Sequence, residues 1–170
     1  MKKALCAVLL SGILATAQAE IIPFTVSLDG PQAGNASPAT GSDLFIEYDT
    51  TSQILSLVVG YGSGTGGVDL TGDFTAAHIH RSVGTVFEGL TNVPFPAGSA
   101  VSGLLLGTID YSASPAEEIE LLGGLQYVNV HSTIFNGGEI RGNLTPVPEP
   151  TTLALLGLGV SGLLVLRRRT

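Results

Sequence analysis

Residues 125–144 read Leu125-Gln-Tyr-Val-Asn-Val-His-Ser-Thr-Ile-Phe-Asn-Gly-Gly-Glu-Ile-Arg-Gly-Asn-Leu144, two short alternating runs on either side of a glycine-bearing turn. Successive side chains of a strand point to opposite faces, so Val128 and Val130 share one face while Tyr127, Asn129 and His131 share the other. Asn136-Gly137-Gly138 suits the positive φ that a tight reversal needs. Beyond it, Ile140 returns to the apolar face, and Glu139 and Arg141 fall opposite. The stretch predicts a β-hairpin with one apolar face and one polar face, and His131 points away from the valines.

Working outward, the rest of the central region carries the same period of two. Residues 24–28 alternate and then break at Asp29-Gly30-Pro31, and a polar loop is expected over 31–42. Over 43–49, Leu44, Ile46 and Tyr48 alternate with Asp43, Glu47 and Asp49, and a Thr/Ser turn leads back through 54–61, which predicts a second hairpin. Residues 60–72 hold six glycines without a P-loop lysine, so a mobile loop is expected rather than a phosphate cradle. Further strands are read over 74–80 and 101–111. One helix signal interrupts them: Ser114-Pro115-Ala-Glu117 combines an N-cap serine, a first-turn proline and a capping-box glutamate, and Gly123 supplies the stop. Six to eight short strands, one short helix and 19 glycines between residues 20 and 146 predict an all-β fold. The expected architecture is an antiparallel Greek-key sandwich or barrel.

Tyr127-Val-Asn-Val-His131 followed by Gly137-Gly-Glu-Ile-Arg-Gly142 resembles the closing motif of the CHRD (chordin-like) domain. Ala77-His-Ile-His80 resembles that family's Ala-His-(Ile/Leu)-His signature, and Thr25-Val-Ser-Leu-Asp-Gly30 and Pro38-Ala-Thr-Gly41 extend the likeness over roughly residues 24–144. The resemblance implies the same β architecture. In animals such domains belong to proteins that antagonise secreted growth factors, so the family implies a fold more securely than a ligand. A more distant likeness is to Cu/Zn superoxide dismutase, through the His-x-His strand and the later Val-x-Val-His strand. That enzyme needs further histidines and a disulfide, whereas this chain has three histidines in all and one cysteine, Cys6.

The two ends differ from the middle. Lys2 and Lys3 precede an apolar run closed by Ala17-Gln18-Ala19, the small-x-small pattern of a secretory signal; Ala17 and Ala19 would frame cleavage by signal peptidase. The apolar run is too short for the roughly 20 residues of a spanning helix. After Leu144 the chain turns to Thr-Pro-Val-Pro-Glu-Pro, an apolar run, then Arg167-Arg168-Arg169. This order resembles the PEP-CTERM sorting tail of Gram-negative bacteria, with Pro148, Glu149 and Pro150 as the motif. The resemblance implies an exosortase-type sorting enzyme as partner. As a helix, residues 151–166 would be about 24 Å long against a hydrocarbon core of about 30 Å, which suits transient residence in the inner membrane. The expected domains are a signal peptide over 1–19, the CHRD-like β domain over 20–145 and the sorting tail over 146–170. The expected destination is the cell surface or the extracellular matrix, with extracellular polysaccharide as a candidate associate.

Between residues 20 and 146, 13 acidic residues face two arginines, a net charge of −11. Such a field disfavours nucleic acid and anionic lipid, and suits a soluble exported domain or one that attracts cations. The middle region has no cysteine, so neither a disulfide nor a thiol ligand is available to it. The residues with chemistry to offer are His78, His80 and His131. A spacing of two puts His78 and His80 on one face, opposite Ile79, as His131 lies opposite Val128 and Val130. All three imidazoles are therefore expected to face outward, either as a solvated polar patch or as ligands to Zn²⁺ or Cu²⁺. Glu139 and Arg141 are expected as a surface or inter-strand ion pair. No nucleophile elbow and no visible pair of catalytic acids is present, so a non-enzymatic binding or structural module is expected, with a small metal-binding protein as the alternative.

Overall fold

The computed structural model describes residues 20–147. Eleven strands follow in order: β1 (Ile21–Thr25), β2 (Ser27–Asp29), β3 (Thr40–Asp49), β4 (Ile54–Tyr61), β5 (Phe74–His80), β6 (Val86–Gly89), β7 (Thr91–Pro94), β8 (Gly103–Asp110), β9 (Tyr127–Ser132), β10 (Ile140–Asn143) and β11 (Thr145–Pro146). One helix, α1 (Pro115–Leu122), lies between β8 and β9. The strands form one antiparallel sheet in which nine run in the order β6-β5-β9-β10-β2-β3-β4-β8-β7, while β1 pairs with β3 and β11 with β1. The β4-to-β5 and β8-to-β9 connections pass to strands that are not neighbours, as Greek-key connectivity requires.

The sheet nearly closes on itself. β6 pairs with β5 at one edge and β7 pairs with β8 at the other. Leu90 joins them, and its N–H donates to the Ala77 carbonyl at 2.9 Å. Residues 86–94 thus run as one strand that changes partners, and a barrel manages its edges this way. Inside it lie Leu28, Tyr48, Leu55, Val59, Ile79, Leu105, Val128, Val130 and Ile140, all buried. Each such apolar side chain contributes about 1.5–3 kcal/mol through removal from water, and alternation along β5, β9 and β10 supplies the inward set.

The predicted central hairpin forms as expected, with Ile140 opposite Val130 and Gly142 opposite Val128. Two local expectations are corrected, and two further segments have partners that the sequence does not announce. Leu44 does not share a face with Ile46 and Tyr48: a bulge between Asp43 and Phe45 shifts the register against β4 and leaves Leu44 and Phe45 exposed. An extra residue on one strand breaks strict alternation. Residues 86–94 carry strands because barrel closure gives them partners, although their runs are too short and glycine-broken to announce themselves. Strand β3 begins at Thr40, inside the expected polar loop, because β2 pairs there. The glycine-rich 60–72 segment is pinned by hydrogen bonds from Ser63 N–H to Asp69 and from Gly64 N–H to the Ser102 hydroxyl.

Helix α1 begins at Pro115 as read, yet among the described residues the Ser114 side chain makes no cap bond. At the other end Gly124, with φ of +68°, takes the left-handed position beyond Gly123. Gly124 N–H donates to Leu121 and Leu125 N–H to Glu120, the pairing that satisfies the last carbonyls of a helix. Buried Gln126 then ties the helix to the core: it accepts from the Tyr111 hydroxyl at 2.6 Å and donates to the Glu117 carbonyl at 2.9 Å.

Candidate functional site

Strands β5 and β9 are direct neighbours, with His78 opposite Asn129, His80 opposite Tyr127 and Ala76 opposite His131. This register gathers the three histidines on one face. One nitrogen from each ring lies within 4.8 Å of the others, and His78 Nδ1 stands 3.3 Å from His131 Nε2. All three sequence-derived candidates therefore converge.

Two of the rings are oriented from behind by backbone carbonyls. His80 Nδ1 lies 2.9 Å from the Gly84 carbonyl, and His131 Nδ1 lies 2.8 Å from the Asn136 carbonyl. A carbonyl can only accept, so each Nδ1 carries the proton and each Nε2 presents a lone pair. Asn129 Nδ2 sits 3.4 Å from His131 Nε2 and donates to the Gly137 carbonyl at 3.1 Å. Burial lowers the pKa of His78, and the neighbouring His131 and His80 lower it further, which favours the neutral ring.

The three imidazoles share the face away from the valines as expected, but His80 is covered there. This ring is 8% exposed, whereas His78 and His131 are half-buried. Tyr127 stacks on it with ring centroids 5.0 Å apart and planes 10° apart, and the Arg141 guanidinium lies 3.3 Å above the Tyr127 centroid. The turn over 81–85 folds back beside the ring. Arg81 fastens this turn to α1 through Glu117 at 2.8 Å and Glu120 at 3.3 Å. Spacing alone could not reveal that cover, although Arg81 directly follows the histidine it helps to enclose.

The expected Glu139–Arg141 ion pair is also corrected. Glu139 is fully buried, and its Oε1 accepts from the Ser37 hydroxyl at 2.7 Å, the Thr71 N–H at 2.6 Å and the Thr71 hydroxyl at 2.9 Å. Strand β10 starts one residue later, at Ile140, so Glu139 belongs to the turn and plugs the barrel end. Burial pushes its pKa up, but the Ser132 hydroxyl beside it and the hydrogen bonds from Thr71 and Ser37 outweigh this and hold the carboxyl below its ordinary range. Arg141 is occupied with Tyr127 instead.

The CHRD domain model matches residues 24–144, which contain the whole histidine cluster and its covering residues. The chain belongs to the CHRD domain family. Immediately after this CHRD domain, the PEP-CTERM protein-sorting motif matches residues 146–169. That motif marks an exported chain, sorted to the bacterial cell envelope or surface by an exosortase-type enzyme. No curated protein and no solved structure matches the chain. Among the described residues no helix is long and apolar enough to cross a membrane. The apolar run over 151–166, the motif residues Pro148, Glu149 and Pro150, and the signal-cleavage residues Ala17 and Ala19 lie outside the described residues.

Proposed function

We propose that this CHRD protein is a non-enzymatic binding or structural module of the cell surface or extracellular matrix of a Gram-negative bacterium. Signal peptidase would release it after Ala19. Residues 151–166 would hold it briefly in the inner membrane, and the sorting enzyme would free it at Pro148-Glu149-Pro150 for display, with extracellular polysaccharide as the associate.

The observation that carries this reading is the junction between domain and tail. Strand β11 pairs with β1, with Phe24 opposite Pro146, and Val147 N–H donates to the Pro23 carbonyl at 2.8 Å. The matched sorting region already begins at residue 146 and Pro148 is the next residue, so the folded unit and the address follow one another without a linker. Engagement of the central acids in structural bonds supports the non-enzymatic part: Glu139 is held by Ser37 and Thr71, and Glu117 and Glu120 by Arg81.

Intact-mass measurement of the surface form tests the proposal. The expected species starts at Glu20 and lacks residues 167–169. A surface form that retains the triple arginine would indicate a plain tail anchor and overturn the sorting step.

A further inference from the structure

We propose that His78, His80 and His131 form a binding site for one divalent late transition metal, Cu²⁺ or Zn²⁺, with His80 and His131 each presenting Nε2. The strongest single observation is His80 Nε2, which is buried and without a hydrogen-bond partner among the described residues. A buried polar atom left unpaired costs about 1–3 kcal/mol, and a metal ion on that lone pair removes the deficit. One ring nitrogen of His80 lies within 4.8 Å of those of His78 and His131, and because Nδ1 is taken by the Gly84 carbonyl, Nε2 is the atom left free to ligate.

Geometry agrees. Two imidazole nitrogens bound to zinc at about 2.0–2.1 Å and a tetrahedral angle stand about 3.3 Å apart. His78 Nδ1 and His131 Nε2 are 3.3 Å apart, and the ligand nitrogens of all three rings lie within 4.8 Å of one another. The carbonyls of Gly84 and Asn136 already fix the tautomers of His80 and His131, the arrangement that orients metal-bound histidines. His78 differs. Its Nδ1–H faces His131 Nε2 in the metal-free protein, and coordination through Nδ1 requires its proton to move to Nε2, with no change in net charge.

Three neutral imidazoles select borderline metals over hard ones, and Cu²⁺ binds such nitrogen sets more tightly than Zn²⁺. Ca²⁺ and Mg²⁺ prefer oxygen ligands. Three protein ligands leave at least one position for water or a small ligand, reached past the half-buried rings of His78 and His131.

The test uses the full chain carrying Cys6→Ser, which removes the one competing thiol. Calorimetry with Cu²⁺ and Zn²⁺ should show one ion per chain, and the paramagnetic resonance spectrum of the Cu²⁺ form should show coupling to three nitrogens. Zn²⁺ should shift the ¹⁵N resonances of Nε2, not Nδ1, in His80 and His131. His78→Gln and His131→Gln should each weaken binding at least tenfold in protein that circular dichroism shows to be folded. If either variant does not fold, the nitrogen spectra of the unsubstituted histidines decide. Absence of saturable binding, affinity retained in folded His78→Gln and His131→Gln, equal competition by Ca²⁺, or a shift at His80 Nδ1 would each overturn the site.

Discussion

Glu139 is a carboxylate with no exposed surface, kept charged by the groups around it. Its folded pKa lies below its unfolded value, so the folded state binds the proton less readily than the unfolded chain does. The resulting stability is fully present above the unfolded pKa and is lost as pH falls through the folded one. Urea denaturation between pH 7 and pH 3 should therefore show falling stability on the acid side, and Glu139→Gln should flatten that limb. At neutral pH the same substitution should cost about 2–3 kcal/mol, since hydrogen bonds to a charged acceptor contribute about 1.5–3 kcal/mol. A variant with unchanged stability and an unchanged acid limb would show that Glu139 does not lock the barrel end. Gly138, its neighbour, has φ of +126°, and a Cβ there would stand 2.2 Å from Asn129 Oδ1. Gly138→Ala should destabilise by about 2 kcal/mol from backbone strain alone and should also displace the Asn129 amide, visible as a shift of its side-chain NMR signal.

Helix α1 and the 81–85 turn act as a pair, because Arg81 bridges two carboxylates one helical turn apart. The pairs are partly solvent-exposed, so Arg81→Ala should cost only about 1 kcal/mol in thermal unfolding. Arg81→Lys should recover part of it, since an ammonium lacks the fork that spans both acids. Gly124→Ala isolates the helix stop: a left-handed backbone costs an alanine about 1–2 kcal/mol, and the nearest atom to its Cβ is Pro146 Cδ at 3.5 Å, so no clash adds to it. At this scale the sequence was informative wherever one strand face is buried. Val128, Val130 and Ile140 declare the hairpin, and the spacing of His78 and His80 places both on one face. It was silent where a neighbour decides. The Leu44 bulge, the handover at Leu90 and the burial of Glu139 all depend on partners remote in sequence. The carbonyls of Gly84 and Asn136, which set two imidazole tautomers, have no side-chain signature at all.

Residues 20–147 form a nearly closed barrel whose first and last described strands lie side by side. The β domain is acidic, with a net charge of −11 between residues 20 and 146. Amino-terminal sequencing of the exported protein should begin at Glu20; a chain still carrying Leu5 would refute cleavage of the leader. The place where β11 joins β1 also has a mechanical meaning. A pull arriving through Val147 loads the hydrogen bond to Pro23 first and then the short β11 pairing, one bond after another as in a zip. Resistance begins at Leu144, which is fully buried and bonded to the Gln126 carbonyl at 2.9 Å. Residues 145–147 can therefore peel away and release about 10 Å of slack, at roughly 3.3–3.6 Å per residue, before the barrel itself bears load. Whenever the domain is pulled through its carboxyl end, those three residues are a fuse that gives way under drag while the barrel keeps its shape.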